Sequence, residues 1–325
     1  CCKASVREEI LSFISTFSFE RIAPTISPAR IFLFLPALMN NFMISLLIFS
    51  SFSFALMAMF VHLAGDIPFV QKAFFRNIVA FTVALSIILK NKTKIVVPKG
   101  SFKYLITRCI AGAVGVFGNF YALDRIPIAD ATILNKMAPF FTVLFSLIIL
   151  GEKVKLLPFM CVAGAFVGAV FVIKPSVNII QSLPAIVAFL GGVGAGVAYT
   201  CVRKLSSLKM TGAFIVLFFS AFTCLLSVPS LILDFTPMTL KQTLILIGAG
   251  LAAAGGQFGV TTAYYNAPAR DISVYDYSQI LFSAILGYIA FRQIPDFYSL
   301  IGYIIIISMA IIVFIYNKKH NLDSL

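Results

Sequence analysis

Ten runs of apolar residues follow one another along the chain, at about 42–61, 69–89, 104–122, 128–150, 156–173, 183–202, 211–233, 242–263, 272–291 and 297–316. Each is close to the roughly 20 residues that an α-helix needs to cross the hydrocarbon core of a bilayer. The gaps between them are short. Asp124 to Pro127, Gly151 to Lys155 and Arg292 to Asp296 each combine charge with a Pro or Gly, so they read as tight helix-to-helix turns that make consecutive helices antiparallel neighbours. The pattern predicts an all-α, polytopic membrane protein of ten transmembrane helices.

Composition agrees. The 325 residues are 60% hydrophobic and 11% charged, with a mean hydropathy of +1.01, which excludes a water-soluble globule. Ten crossings consume roughly 200 residues and leave no room for a separate soluble catalytic domain. The formal charge is +13, a balance that in a soluble protein would raise nucleic acid as a partner. Here the charge falls in loops and tails, so membrane lipid is the expected partner and nucleic acid is not. Cys109, Cys161, Cys201 and Cys224 lie inside apolar runs, and the two histidines, His62 and His320, are far apart in sequence. Neither a disulfide framework nor a metal site follows, and no cofactor is expected.

Residues 1–38 differ in kind, with Glu8, Glu9, Glu20, Arg21, Arg30 and three Pro. They read as an extension, disordered or a non-native start, with Met39 as the expected beginning of the membrane unit. Ile10, Phe13, Ile14 and Phe17 at helical spacing carry the rival reading, a surface helix, but Glu8 and Glu9 stand where such helices are usually basic.

Orientation follows from the retention of Lys and Arg on the cytoplasmic side. With the amino terminus inside, the inner loops and tail hold thirteen of them, including Lys90, Lys99, Lys153, Arg203, Arg270 and Lys319, against four outside, Arg125, Lys174, Lys241 and Arg292. Both termini are therefore expected in the cytoplasm, in the inner (cytoplasmic) membrane.

Shifting the chain by 141 residues superposes Gly115 on Gly256, Phe117 on Phe258, Gly118 on Gly259, Pro127 on Pro268 and Asp130 on Asp271, within ten ungapped identities between 111 and 154. Scattered Ala and Ile matches follow from apolar composition; two glycines, a loop proline and an aspartate in register do not. The chain reads as a duplication, 39–178 and 179–316, with 317–325 as a cytoplasmic tail. Five spans per copy is an odd number, so the copies cross the membrane in opposite senses, an inverted repeat that encloses a site near the midplane. The small residues Ala111, Gly115, Gly118 and Ala122, with their copies, read first as a helix-packing face, with Asn119, Tyr121 and Gln257 beside them within reach of a cavity.

Polar residues inside the spans narrow the site. Thr132, Asn135, Pro139, Thr142 and Ser146 share one face of the fourth run, and their copies are Ser273, Asp276, Ile280, Ser283 and Gly287. Such a face is expected to point away from lipid. Lys72 and Arg108 stand close enough to their span ends to snorkel. Arg76 and Lys136 lie about 8 residues in, roughly 12 Å at helical rise, and require a partner. Asp276 is the deepest acid, flanked by Tyr275, Tyr277 and Gln279. The expected substrate or ion pathway comprises Arg76, Asn119, Tyr121, Thr132, Asn135, Lys136, Gln257, Tyr275, Asp276, Tyr277 and Gln279, with no catalytic residue and no metal ligand. A structural salt bridge holding two helices is the alternative.

The segments Phe74-Phe75-Arg76-Asn77, Ala129-Asp130-Ala131, Pro139 and Leu150-Gly151-Glu152-Lys153 resemble the EamA-type members of the drug/metabolite transporter superfamily. Family glycines tend to fall nine and sixteen residues after that Glu; Gly168 keeps the second and Cys161 replaces the first. In the second copy Gln293 takes the Glu position, Gly302 keeps the first glycine and Met309 replaces the second. The resemblance implies a ten-helix carrier of a small metabolite or drug-like solute, with protons as a candidate coupling ion and the oligomeric state open. A membrane-embedded enzyme or a channel is the alternative, although no HExxH, GxSxG or filter sequence occurs. Without a P-loop, ATP is not the direct energy source.

Overall fold

Inside a bilayer each backbone N–H and C=O must be satisfied within its own segment, and every apolar run is met by helix. A computed structural model describes residues 28–92, 95, 97–149, 156–173, 179–266 and 273–322. In chain order the helices are α1 (Pro28–Leu63), α2 (Phe69–Lys90), α3 (Phe102–Leu123), α4 (Ile128–Asn135), α5 (Ala138–Ile149), α6 (Leu156–Ile173), α7 (Ile179–Ser207), α8 (Gly212–Leu233), α9 (Leu240–Asn266), a 3-10 turn (Ser273–Tyr277), α10 (Ser278–Phe291) and α11 (Phe297–Leu322). Among the described residues there is no strand, and eight stretches are long and apolar enough to cross a membrane, α4 and α5 counting together as one. The shorter apolar helices α6 and α10 account for the other two expected runs. The chain divides into two compact units, 1–42 and 43–325. The described part of the first is the opening of α1, and the second holds everything else. Residues Ile10 to Phe17, the turn at 150–155 and the matched Pro268 and Asp271 lie outside the described residues.

The helices depart from the apolar runs in four respects. Helix α1 begins at Pro28, inside the segment expected as an extension and well before the first run. The fourth run is two helices, broken at Lys136 and Met137, because Pro139 has no N–H to donate to the Asn135 carbonyl and its ring would clash with that carbonyl, whereas Pro is tolerated in the first turn of α5. The ninth run opens as a 3-10 turn before α10. Helices α7 and α11 run on past the apolar residues to Ser207 and Leu322, through Arg203, Lys204, Lys318 and Lys319, which are good helix formers beyond the hydrocarbon.

Consecutive helices are joined by short turns, yet the most extensive pairings are α3 with α7, α6 with α11 and α2 with α8. Glycine decides where backbones meet. A Cβ on Gly118 would stand 2.9 Å from the Val187 carbonyl oxygen, and one on Gly194 would stand 2.6 Å from that of Ala111, so α3 and α7 touch through their backbones. Gly259 in α9 meets the Leu46 carbonyl of α1 at 3.1 Å from its would-be Cβ, and Ser50 Oγ donates to the Gly256 carbonyl at 2.6 Å. The small-residue faces are packing faces. Gly168 and Gly302, the two glycines retained from the family pattern, press on each other between α6 and α11, a Cβ on Gly302 falling 2.6 Å from the Gly168 oxygen. Outside this core, Leu89, Ile110, Ile148, Leu225, Ile289 and Ile304 stay exposed, as side chains facing lipid tails do.

Candidate functional site

The broken fourth run sets the site. Lys136 is the C-cap of α4, held at the break instead of within a continuous helix, and its Nζ lies 2.7 Å from Asp276 Oδ1. Asp276 stands in the 3-10 turn that opens the ninth run. Ser51 of α1 donates its hydroxyl to the Asp276 carbonyl oxygen at 3.3 Å and to its carboxylate at 3.5 Å. Lys136 and Asp276 are 7% and 3% exposed, so the pair is buried, and its mutual attraction is set against the desolvation of both charges.

Beside the pair is a cavity of about 100 Å³. Six of the expected pathway residues line it: Arg76, Asn119, Asn135, Lys136, Gln257 and Gln279. Asp276 stands behind Lys136. The other four lie elsewhere. Thr132 donates to Ser283 Oγ at 3.0 Å, tying α4 to α10. The Tyr121 ring meets Phe69 edge-on and carries the Arg125 guanidinium on its face, at a lipid-facing cleft with Ile110 and Leu226. The Tyr275 ring packs on Phe314, and Tyr277 is buried against Phe140.

Two polar lining residues were not anticipated, Arg108 and Tyr199. Arg108, expected to snorkel to the surface, is 4% exposed, with its guanidinium carbon 3.8 Å from the centre of the Phe219 ring. Gly112, one turn on, makes this possible, since any Cβ there would strike the Arg108 guanidinium. The Arg-to-Gly spacing of one helical turn was the available clue. Tyr199 follows the small residues of α7 with nothing in its sequence context to mark it. Arg76 donates from Nη1 to Asn77 Oδ1 at 2.9 Å, but Arg76 Nε and Arg108 Nε are buried with no hydrogen-bond partner among the described residues.

Lys72 also departs from expectation. Instead of snorkelling it is fully buried and pairs with Asp124 at 2.6 Å, from the start of α2 to the end of α3. Burial pushes the Asp124 carboxyl above the ordinary carboxylate range, while the hydrogen bond and charge of Lys72 pull it back. Close by, a chain of hydrogen bonds joins three further elements. The Leu123 carbonyl can only accept, so His62 Nδ1, 2.6 Å away, carries the proton. His62 Nε2 then accepts from Gln293 Nε2 at 3.2 Å, which leaves Gln293 Oε1 to accept the Ile128 N–H at 3.0 Å. These bonds tie the ends of α1, α3 and α10 to the first residue of α4.

The comparisons agree with this architecture. The EamA-like transporter family matches residues 41–174. The pseudopaline exporter CntI of Pseudomonas aeruginosa is 30% identical over 264 residues, covering 81% of this chain and 92% of that protein. An uncharacterized transporter of Helicobacter pylori is 27% identical over 282 residues, 84% of this chain and 94% of that one. Human solute carrier family 35 member G1 is 24% identical, over 80% and 75% of the respective chains. A solved crystal structure 18% identical in sequence has a TM-score of 0.59 over 83% of this chain and 98% of that chain, and shares the fold. The chain is a multi-pass membrane transporter and belongs to the EamA-like transporter family of the drug/metabolite transporter superfamily.

Proposed function

We propose that the protein is a secondary transporter that moves a small organic solute across the cytoplasmic membrane by alternating access, with both termini in the cytoplasm. Residues 39–178 and 179–316 act as inverted five-helix halves, and no chemistry is done on the solute. The observation that carries this reading is the ion pair between Lys136 and Asp276 beside the cavity, where the broken fourth run meets the 3-10 opening of the ninth. Under the shift of 141 residues Lys136 corresponds to Tyr277, and these are the C-cap of α4 and the N-cap of α10. A change of helix geometry at equivalent places in the two copies supports an inverted repeat, since irregular helix ends present backbone and polar groups at the midplane.

The cavity of about 100 Å³ falls below the ~300 Å³ of the smallest ordinary ligand pockets. A metabolite enters only when the helices part, which alternating access supplies. Asp276 is the proposed exchange point for a coupling proton or a cationic group, freed when its pair with Lys136 opens. The exporter among the relatives favours outward movement.

Counterflow in proteoliposomes tests the reading. Uptake of labelled solute that saturates and is accelerated by unlabelled solute on the far side is expected of a carrier. Flux proportional to concentration without counterflow would mean a channel, and chemical alteration of the solute would mean an enzyme.

A further inference from the structure

Two buried arginines face the cavity with no acid to meet them. Arg76 and Arg108 are 5% and 4% exposed, each Nε lacks a hydrogen-bond partner, and neither makes an ion pair among the described residues. Among the described residues the carboxylate at hand, Asp276, is committed to Lys136 at 2.7 Å. Arg76, Arg108 and Lys136 against Asp276 leave the site with a net of two positive charges. Arg does not shed its proton in proteins, and a buried charge without a partner is costly. The stacking of Arg108 on Phe219 fixes the plane of the guanidinium and meets only part of its charge.

Resting on the transporter reading above, we infer that the solute is an organic anion whose carboxylate or phosphate oxygens are held by Arg76 and Arg108. A guanidinium offers a planar fork of donors that matches two oxygens of such a group. Elsewhere on the wall, among apolar side chains, Asn119, Asn135, Gln257 and Gln279 supply neutral amides able to bond hydroxyl, amide or amine groups on the solute body. Neutral walls with paired cations select for an oxyanion on a polar solute; a cationic solute would meet uncompensated like charge. The negative interior of the cell drives an anion outward, so the membrane potential favours export of such a solute.

The test uses purified full-length protein and a matched set of probes: succinate, citrate and glycerol 3-phosphate as anions, succinamide as the neutral isostere of succinate, and putrescine as a dication. Thermal unfolding can be followed with a thiol-reactive dye, since Cys109, Cys161, Cys201 and Cys224 are buried in the folded protein. One or more anions should raise the unfolding temperature while succinamide and putrescine do not, the carboxylates and glycerol 3-phosphate separating the two oxyanion types. Arg76→Gln and Arg108→Gln should each weaken the apparent affinity by about tenfold or more, as expected for loss of a charge-assisted pair. Arg108→Lys, which keeps the charge and guards against a folding defect, should restore part of it. Stabilisation by succinamide equal to that by succinate, stabilisation by putrescine, or no response to any anion overturns the inference. The two readings separate in proteoliposomes: exchange of succinamide or putrescine but not the anions leaves the transporter and removes the anion site. Arginine-dependent anion binding without counterflow leaves the site and removes the transport role.

Discussion

Lys136 Nζ lies 2.7 Å from Asp276 Oδ1, joining the break between α4 and α5 to the 3-10 turn that opens the ninth run. Removing one partner of a buried pair strands the other as an uncompensated charge, at a cost of about 3–5 kcal/mol. Asp276→Asn should therefore lower the unfolding temperature. The double variant Lys136→Met with Asp276→Leu should regain most of it, while counterflow stays abolished in both. A double variant that transports like the parent would reduce the pair to a helix clamp.

Gly112→Ala bears on Arg108. Alanine is the better helix former by about 1 kcal/mol, but its Cβ would strike the Arg108 guanidinium and come within 2.9 Å of the Phe219 ring. Flux at low solute concentration should fall about tenfold or more. Adding Phe219→Leu, which clears the ring, should recover part of it. Unchanged apparent affinity in Gly112→Ala would count against a role for the Arg108 position.

The pair between Lys72 and Asp124 offers a contrast, because it lies outside the cavity. Asp124→Asn leaves the fully buried Lys72 ammonium without its carboxylate and should destabilise the protein by several kcal/mol on the scale of other broken buried pairs. Lys72→Met with Asp124→Leu should restore stability and, unlike the cavity double variant, also flux. Loss of flux in a well-folded double variant would assign this pair to the transport cycle.

Gln293→Leu deprives both the Ile128 N–H and His62 Nε2 of their partner. If these bonds seal the outer end of the cavity, the variant should open it. A single cysteine placed at Asn119, with the native cysteines replaced, should then react faster with a membrane-impermeant maleimide added from outside. Equal rates with and without Gln293→Leu would show that the seal lies elsewhere.

Topology rests on thirteen Lys and Arg expected inside against four outside. A reporter active only in the cytoplasm should give signal when fused after Asn317 and none when inserted at Val177. The reverse pattern would invert the orientation.

The places of the ten helical segments, though not all of their limits, were legible because they depend on a local quantity, the run of apolar residues long enough to cross hydrocarbon. The family was legible in short motifs, and the depth of Arg76, Lys136 and Asp276 in simple residue counting. Six of the eleven expected pathway residues line the cavity for the same reason: a polar group in mid-membrane has to turn inward. Tertiary structure alone decided which inward-facing groups meet. Thr132 and Tyr277 point inward too, but Ser283 and Phe140 from distant helices occupy the space before them. Lys72 and Arg108 have stems long enough to reach water, and whether they do depends on Asp124 waiting at 2.6 Å and on the room that Gly112 leaves. Reach is a property of the side chain, written in sequence; the partner that competes with water is set by how helices pack.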